Sequence, residues 1–363
     1  MDRSAPIAST IVVTPRERFA FAVRSLESLY ENTEGPFALV YIDAGSPREV
    51  AGRLRDLARE RDFTLIRCDR YLAPNQARNL GLAFVATEYA VLADNDVVFA
   101  PGWLAALERC AAETGAAIVT PLTCIGNPPH TIVHNVGGAA DIAEDGGRLL
   151  FMQSHPDLVG LRVDEIRGRL KRETTGQCEF HACLIRTVLF ARHGKLDENN
   201  LSVCDHSDLS IAVRRAGGEI YFEPQSVVTY IPERLRPREL PFYMLRWSEA
   251  WARHSHRTFL AKWQAEDGKP HYTYVDFVRE YRAFALPVLR RRAVRWCGWR
   301  VGSRIVELVE WGLAAIGSAR FAGLGAPPRY RVVHEGGGAQ ARRAPEVALA
   351  ATQTAAPWPH GIS

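Results

Sequence analysis

The sequence lacks three things: a C-x-x-C pair, an unbroken apolar run of membrane-spanning length, and an apolar leader. Its seven cysteines are Cys68, Cys110, Cys124, Cys178, Cys183, Cys204 and Cys297. An odd number without close pairs argues against a disulfide framework and against a structural zinc site. The opening MDRSAPIASTIVVTP has no long apolar h-region, so no signal peptide is read there. The most apolar stretch, around residues 305 to 318, is broken by Glu307 and Glu310, short of the roughly 18 apolar residues a membrane helix needs. The expectation is a cytoplasmic protein, with peripheral contact at the inner face of a membrane kept open.

Strong charge of one sign is also missing. The net charge over 363 residues is only +4, and 47% of the chain is hydrophobic, as in a globular protein large enough for one or two domains. The balance is uneven along the chain. Residues 241–363 carry 18 Lys+Arg against 9 Asp+Glu, leaving the first 240 residues mildly acidic. A basic final third suggests an acidic partner or a membrane surface, although a solvated basic face explains the charge equally well.

The first 120 residues alternate between two periodicities. STIVVT (9–14), FALVYID (37–43), FTLIR (63–67), YAVLAD (89–94) and AAIVTP (116–121) are short β-rich runs. Between them apolar residues recur at helical spacing, as at Phe19, Ala22, Val23, Leu26 and Leu29. SPRE (46–49) has the pattern of a capping box, with Ser46 as cap and Glu49 reaching back. NQARNLGLAFVAT (75–87) is expected to be helical, with Ala77, Leu80, Phe84 and Val85 inward. The alternation predicts an α/β protein, a mostly parallel Rossmann-like sheet with helices on both faces. Ligands of such sheets bind beyond the carboxyl ends of the strands. Asp43 and the pair Asp94 and Asp96 fall there.

Residues 126–175 are rich in Gly, Pro and Asn and show little periodicity, so they read as a long functional loop or lid. A helix is expected from about Ser207 to Ala216, stopped by Gly217-Gly218. Residues 241–325 form a helical, basic, Trp-rich extension. Its segment 290–313 mixes Arg with Trp, Val, Ile and Leu, and either packs on the domain or lies in an anionic lipid interface. Residues 326–363 are expected to be a disordered tail.

Asp94-Asn95-Asp96 poses the chemical question. Carboxylates at i and i+2 of an extended run point to one side and can share a hard divalent cation such as Mg²⁺ or Mn²⁺. D-x-D alone is a weak signal, since turns are rich in Asp. Its place at a strand's carboxyl end strengthens it.

Several segments together resemble the family 2 glycosyltransferases, an inverting family with the GT-A fold. In order, they are STIVVTPRER, LVYIDAGSP, NQARNLGLAFVATEYAVLADNDVVFAPGWL, CEFHACLIRTVLFARHGKLDENN and CDHSDLSIAVRRAGGEIYFEP, within about residues 8–232. The resemblance implies a GT-A domain over residues 1–240, with 126–175 on the acceptor side. It implies a hexosyltransferase-type enzyme that moves a sugar from a nucleoside-diphosphate sugar, UDP or GDP first, to a hydroxyl of a saccharide or lipid-linked acceptor. By the same resemblance, the loop from Thr14 and Pro15 to Arg18, with Asp43 and Arg78, surrounds the nucleotide. Asp94 meets the ribose, and Asp96, with Asp94, holds the divalent cation, Mn²⁺ or Mg²⁺. No nucleic acid is implied as a partner.

The chain departs from the family pattern at its E-D-x-D-L block, which here reads Asp205-His206-Ser207-Asp208-Leu209. An imidazole with pKa near ~6.5 can act as base, so His206 and Asp205 stay open for that role, with Asp208 a third choice. Asp205 could equally be a helix N-cap. Where the family often supplies a histidine after the next strand, Tyr230 stands here. Glu179 and His181 alternate on an expected strand and are acceptor-side candidates or structural hydrogen-bonding groups. His134 and Asn135 could belong to the lid. Trp103 suits sugar stacking or core packing, while Trp247 and Trp251 read as packing residues. Two other readings stand beside transfer of a sugar. A nucleotidyltransferase-like enzyme is disfavoured because TPRERFAF has no glycine to cradle phosphates. A non-catalytic nucleotide-sugar binder or membrane-associated scaffold is suggested by the altered block and the basic tail.

Overall fold

A computed structural model describes residues 7–268 and 273–337. The strands are β1 (Ser9–Thr14), β2 (Ala38–Ala44), β3 (Thr64–Cys68), β4 (Tyr89–Asp94), β5 (Val97–Phe99), β6 (Ile118–Ile125), β7 (Ile132–Asn135), β8 (Ala139–Asp145), β9 (Arg148–Ser154), β10 (Glu173–Thr174), β11 (Ala182–Arg186), β12 (Ile220–Tyr230), β13 (Glu266–Asp267) and β14 (Arg331–His334). The helices are α1 (Ala22–Asn32), α2 (Arg48–Arg61), α3 (Pro74–Leu82), α4 (Trp103–Thr114), α5 (Val163–Ile166), α6 (Val188–His193), α7 (Asp205–Arg215), α8 (Leu240–Arg246), α9 (Glu249–Trp263), α10 (Tyr274–Ala283) and α11 (Pro287–Arg320).

The central sheet runs β10-β12-β6-β11-β4-β1-β2-β3-β14. β4, β1, β2 and β3 are parallel, as the alternation predicts. β11 inserts antiparallel between β4 and β6, and β14 adds antiparallel to β3. Every residue of β1, β2 and β4 is buried, because helices cover both faces. On one face Leu26, Leu54, Trp103 and Leu107 pack against Ile11, Tyr41 and Val91. On the other, Leu80, Leu209 and Val213 pack against Val12, Ile42 and Leu92.

Local detail explains these placements. α3 starts at Pro74, whose missing N–H costs nothing there, and Gln76 Oε1 accepts the Ala73 N–H at 3.0 Å. Gly81 lets α3 lie on β1, since a Cβ there would come within 2.2 Å of Val12 Cγ1. The helix ends at Leu82, earlier than its expected end, so Phe84 and Val85 follow it rather than forming part of it. At α2 the expected cap is not made. Pro47 is the N-cap residue, with no side-chain bond, and Ser46 instead accepts from Arg67 through both Oγ and its carbonyl.

Two larger expectations are corrected. Residues 126–175 are not loop alone. β7 joins the main sheet, and β8 and β9 form a hairpin extended by β13. Hairpin strands that pair only with each other and with distant residues leave a weak sequence signal. The expected tail also begins later than residue 326, because Arg331–His334 pair with β3. Residues 338–363 of that tail lie outside the described ones.

The extension from 241 is helical as expected. It builds a second core in which Trp247, Phe259, Trp263 and Val278 meet Phe151 of β9 and Ile211 of α7. Among the described residues no helix is long and apolar enough to cross a membrane.

Candidate active site

β1 and β4 end side by side, with Thr14 opposite Asp94. Beyond that edge the loop after β1 and the turn after β4 are locked together. Asn95 N–H donates to the Thr14 carbonyl at 3.1 Å, and Arg16 N–H donates to Asn95 Oδ1 at 2.8 Å. The middle residue of D-x-D is therefore the clasp that holds the arginine-bearing loop over the acid pair.

Asp94, Asp96 and His181 are all buried and offer one ligand atom each within 4.8 Å of one another. His181 Nδ1 is 3.2 Å from Asp94 Oδ2. The sequence placed His181 on the acceptor side and left the histidine of the acid pair missing at Tyr230. In the structure an imidazole reaches the acid pair from His181, because β11 runs antiparallel beside β4 and the Asp94 N–H donates to the His181 carbonyl. Tyr230 stacks on the His181 ring at 4.8 Å. Glu179 and His181 do not alternate on a strand. They precede β11, which begins at Ala182.

Two arginines compensate the pair. Arg16 Nη1 donates to Asp94 Oδ2 at 3.1 Å and lies 2.8 Å from His181 Nδ1. Arg18 Nη1 donates to the Tyr230 hydroxyl at 2.6 Å and sits 3.4 Å from Asp96 Oδ2. Burial would raise the Asp94 pKa, but the His181 hydrogen bond and the charges of Arg16 and Arg78 hold it well below the usual carboxylate range. For Asp96 burial wins and pushes the carboxyl up, despite Arg16 and Arg18. Asp96 Oδ1 is buried and has no hydrogen-bond partner among the described residues. An orphaned buried oxygen beside a second carboxylate and an imidazole is a donor set that suits a divalent cation.

A cavity of about 490 Å³ opens next to this group. Arg16, Asp94 and His181 form one wall, and Glu179, Asp205 and His206 another. Phe151, Phe180, Trp247 and Phe277 supply apolar surface. His134 and Asn135 also line it, so the 126–175 segment does reach the cavity. Trp247 lines it too, and its indole N–H donates to Glu17 Oε1 at 2.6 Å.

Asp205 and His206 arrive on the first turn of α7. The cap residue is Cys204, in the left-handed region at φ 68, so Asp205 is not the N-cap. Its side chain instead accepts from Arg78 Nη1 at 2.6 Å. Arg78 lies over the Phe180 ring at 4.0 Å and stands 3.6 Å from Asp94 Oδ1, so it links the acid pair to α7. Burial would raise the Asp205 pKa, but Arg78 and His206 hold it far below the usual range. His206 Nδ1 is 3.3 Å from Asp205 Oδ1. Burial works against the imidazolium, yet Glu179 and Asp205 outweigh it and raise the pKa to about 9. That shift favours the imidazolium at neutral pH, the form in which His206 donates.

The remaining candidates separate. Asp208 points away from the cavity, accepting from Lys262 Nζ at 2.7 Å and Trp263 Nε1 at 2.9 Å. Trp103 is a core residue, with its N–H on Thr33 Oγ1 and its ring 4.5 Å from Phe99. Trp251 is also buried, as expected. Asp43 lies at the end of β2, paired with Arg67 at 2.5 Å and bonded by the Ser46 N–H. Arg67 had no local signal pointing to this role, because it comes from the neighbouring strand. Thr14 and Pro15 lead into the arginine loop and are buried.

The profile of glycosyl transferase family 2 matches residues 9–158. The family 2 match spans β1 to β9 and includes Asp43, Arg78, Asp94 and Asp96. It stops short of Glu179, His181, Asp205 and His206. The chain is also similar to solved structures of GalNAc-T7 with UDP, GalNAc and Mn²⁺ (18% identity, TM-score 0.48, 77% of this chain and 55% of that one). It is similar as well to the mannosyltransferase PcManGT from Pyrobaculum calidifontis in complex with GDP-Man and Mn²⁺ (16% identity, TM-score 0.47, 88% of this chain and 84% of that one). The chain thus spans little more than half the length of the first of these. A comparison with curated proteins gives no match.

Proposed function

We propose that the chain transfers a sugar from a nucleoside-diphosphate sugar to a hydroxyl of a saccharide or lipid-linked acceptor. The observation that carries this is the buried Asp94, Asp96 and His181 group, with an unpartnered Asp96 oxygen, beside a cavity that holds further carboxylates. These three residues would hold a divalent cation. Mn²⁺ suits them better than Mg²⁺, because one donor is an imidazole nitrogen. When bound, the cation supplies positive charge for the leaving diphosphate.

The chain's own residues account for the rest. Arg16, Arg18 and Arg78 bring fixed positive charge to the edge where the diphosphate develops its negative charge. Asp43, at the end of β2, is positioned for the nucleoside. The acceptor enters the cavity from the Phe151 and Trp247 side, where apolar walls exclude water. An acceptor hydroxyl needs a positioned base. Asp205 is held by Arg78, Asp208 faces Lys262, and His206 favours its imidazolium form. Glu179 lines the cavity; its backbone N–H donates to Thr120 Oγ1, and its carboxylate accepts from the Phe180 N–H. Glu179 is therefore assigned the proton. One base and one displacement at the anomeric carbon give inversion.

Thermal unfolding with UDP, GDP, CDP and dTDP, with and without Mn²⁺, tests the donor side. One nucleotide should raise the melting temperature only with Mn²⁺, and Asp96→Ala should abolish the rise. A hundredfold excess over Kd stabilises by about 2.7 kcal/mol. No shift with any of the four defeats the proposal and favours a scaffold. Once a donor is known, Glu179→Gln should cut kcat about a hundredfold or more with the nucleotide shift intact, and turnover equal to wild type would remove Glu179 as base.

A further inference from the structure

α11 presents an apolar face that none of the described residues covers. The element breaks at Gly298 and its two segments fold against each other, Gly302 backing onto Ala293 and Val294, while Gly317 packs toward α8. A Cβ on Gly317 would come within 2.2 Å of the Pro241 carbonyl oxygen, so the two backbones touch. The second segment carries Val301, Leu308, Trp311 and Ile316, all exposed. Trp296 ends one helical segment and Trp299 begins the next, on either side of the non-helical Gly298 at φ 74, and both are exposed. These tryptophans are 81%, 69% and 71% exposed at positions 296, 299 and 311. Large aromatic side chains left open on these two packed segments mark an interaction surface.

The charge around that face is of one sign. Arg291, Arg292, Arg295, Arg300 and Arg304 make no ion pair among the described residues. Glu310 is buried and paired with Arg282 and Arg290, which leaves Glu307 as the remaining acid on the helix. A second copy of the chain would bring arginines against arginines across a two-fold axis. An anionic lipid surface matches both halves of the face, the arginines with headgroups and the tryptophans with the interfacial region.

We infer that α11 lies in the interface of an anionic membrane with its exposed Trp296, Trp299 and Trp311 in lipid. The helix is one layer from the cavity, because α8, on which it packs, leads directly into the cavity-lining Arg246 and Trp247. That neighbourhood favours a lipid-linked acceptor over a free saccharide. This last step rests on the proposed transfer reaction, whereas the docking itself does not.

Co-sedimentation of the full chain with vesicles tests it. The chain should bind phosphatidylcholine vesicles that contain phosphatidylglycerol, should leave pure phosphatidylcholine largely unbound, and should dissociate as salt rises. Trp299→Ser with Trp311→Ser should lower partitioning about tenfold or more, with the urea midpoint unchanged. Each of Arg291→Gln, Arg292→Gln and Arg295→Gln should lower it about fivefold. Equal binding by wild type and the tryptophan variant, or no binding to anionic vesicles, overturns the inference. A concentration-dependent dimer that the tryptophan variant abolishes, without vesicle binding, would assign the face to a second copy. The Mn²⁺-dependent nucleotide shift needs no vesicles, so failure of docking and failure of the transfer reading are separable.

Discussion

Arg78→Met gives the sharpest test of how the site is held. Arg78 is 2% exposed and serves two carboxylates, Asp205 at 2.6 Å and Asp94 at 3.6 Å. Methionine keeps much of the packing on Phe180 and removes only the charge and its donors. Breaking a buried pair by taking one partner away costs about 3–5 kcal/mol, because the other charge stays buried. For a chain of this size that is a fall of roughly 4–7 °C in melting temperature. The pH dependence follows from Asp205. Its folded pKa is depressed, so its contribution is full above the unfolded value, about 3.9, and is lost as pH falls below that toward the folded pKa. The gap between wild type and Arg78→Met should therefore be constant from pH 7 to 5 and shrink below about pH 4. Adding Asp205→Asn should restore part of the loss, since the two residues are coupled. Urea unfolding at several pH values measures all three quantities. A gap under about 0.5 kcal/mol at pH 7, or one that widens in acid, would refute the account of Arg78 as the link between the acid pair and α7.

Three more outcomes are expected. His206 has a raised folded pKa of about 9, so the stability it contributes is full below about pH 6.5 and is lost as pH rises through 9; unfolding free energies from urea titrations should fall over that window by up to about 3 kcal/mol, and His206→Gln should flatten the slope. Asp208→Asn should lower the melting temperature by weakening the Lys262 and Trp263 bonds, yet leave kcat within a few-fold of wild type in a turnover assay. Trp103→Phe should cost about 1–3 kcal/mol in urea unfolding and leave acceptor KM unchanged, because the ring is core and its N–H serves Thr33.

The sequence was most readable where structure is local. STIVVT, LVYID and YAVLAD announce buried parallel strands by their own composition, and Asp94-Asn95-Asp96 announces its place at a strand end. The missing pieces come from pairings that no local window contains. His181 reaches the acid pair only because β11 slips antiparallel between β4 and β6, across nearly 90 residues of chain. Arg67 reaches Asp43 from the next strand over. The β8–β9 hairpin looked like loop because its face packs on helices of the distant extension. His206 was legible as a titratable group at a base position, but its proton is fixed by Glu179 and Asp205, whose proximity depends on the fold.

The pairing of β14 with β3 carries a consequence for how the chain is made. β3 is an edge strand until Arg331–His334 arrive, and the Gly336 and Gly337 N–H groups then bind Thr64 and Asp62 beside it. About 260 residues separate the two strands, so at typical synthesis rates the edge of β3 stays open for roughly 15–50 s. An open parallel edge of Leu65 and Ile66 can template pairing with another chain. Residues 331–337 thus act as a closing stitch, and a chain released before them would be the one most prone to aggregate.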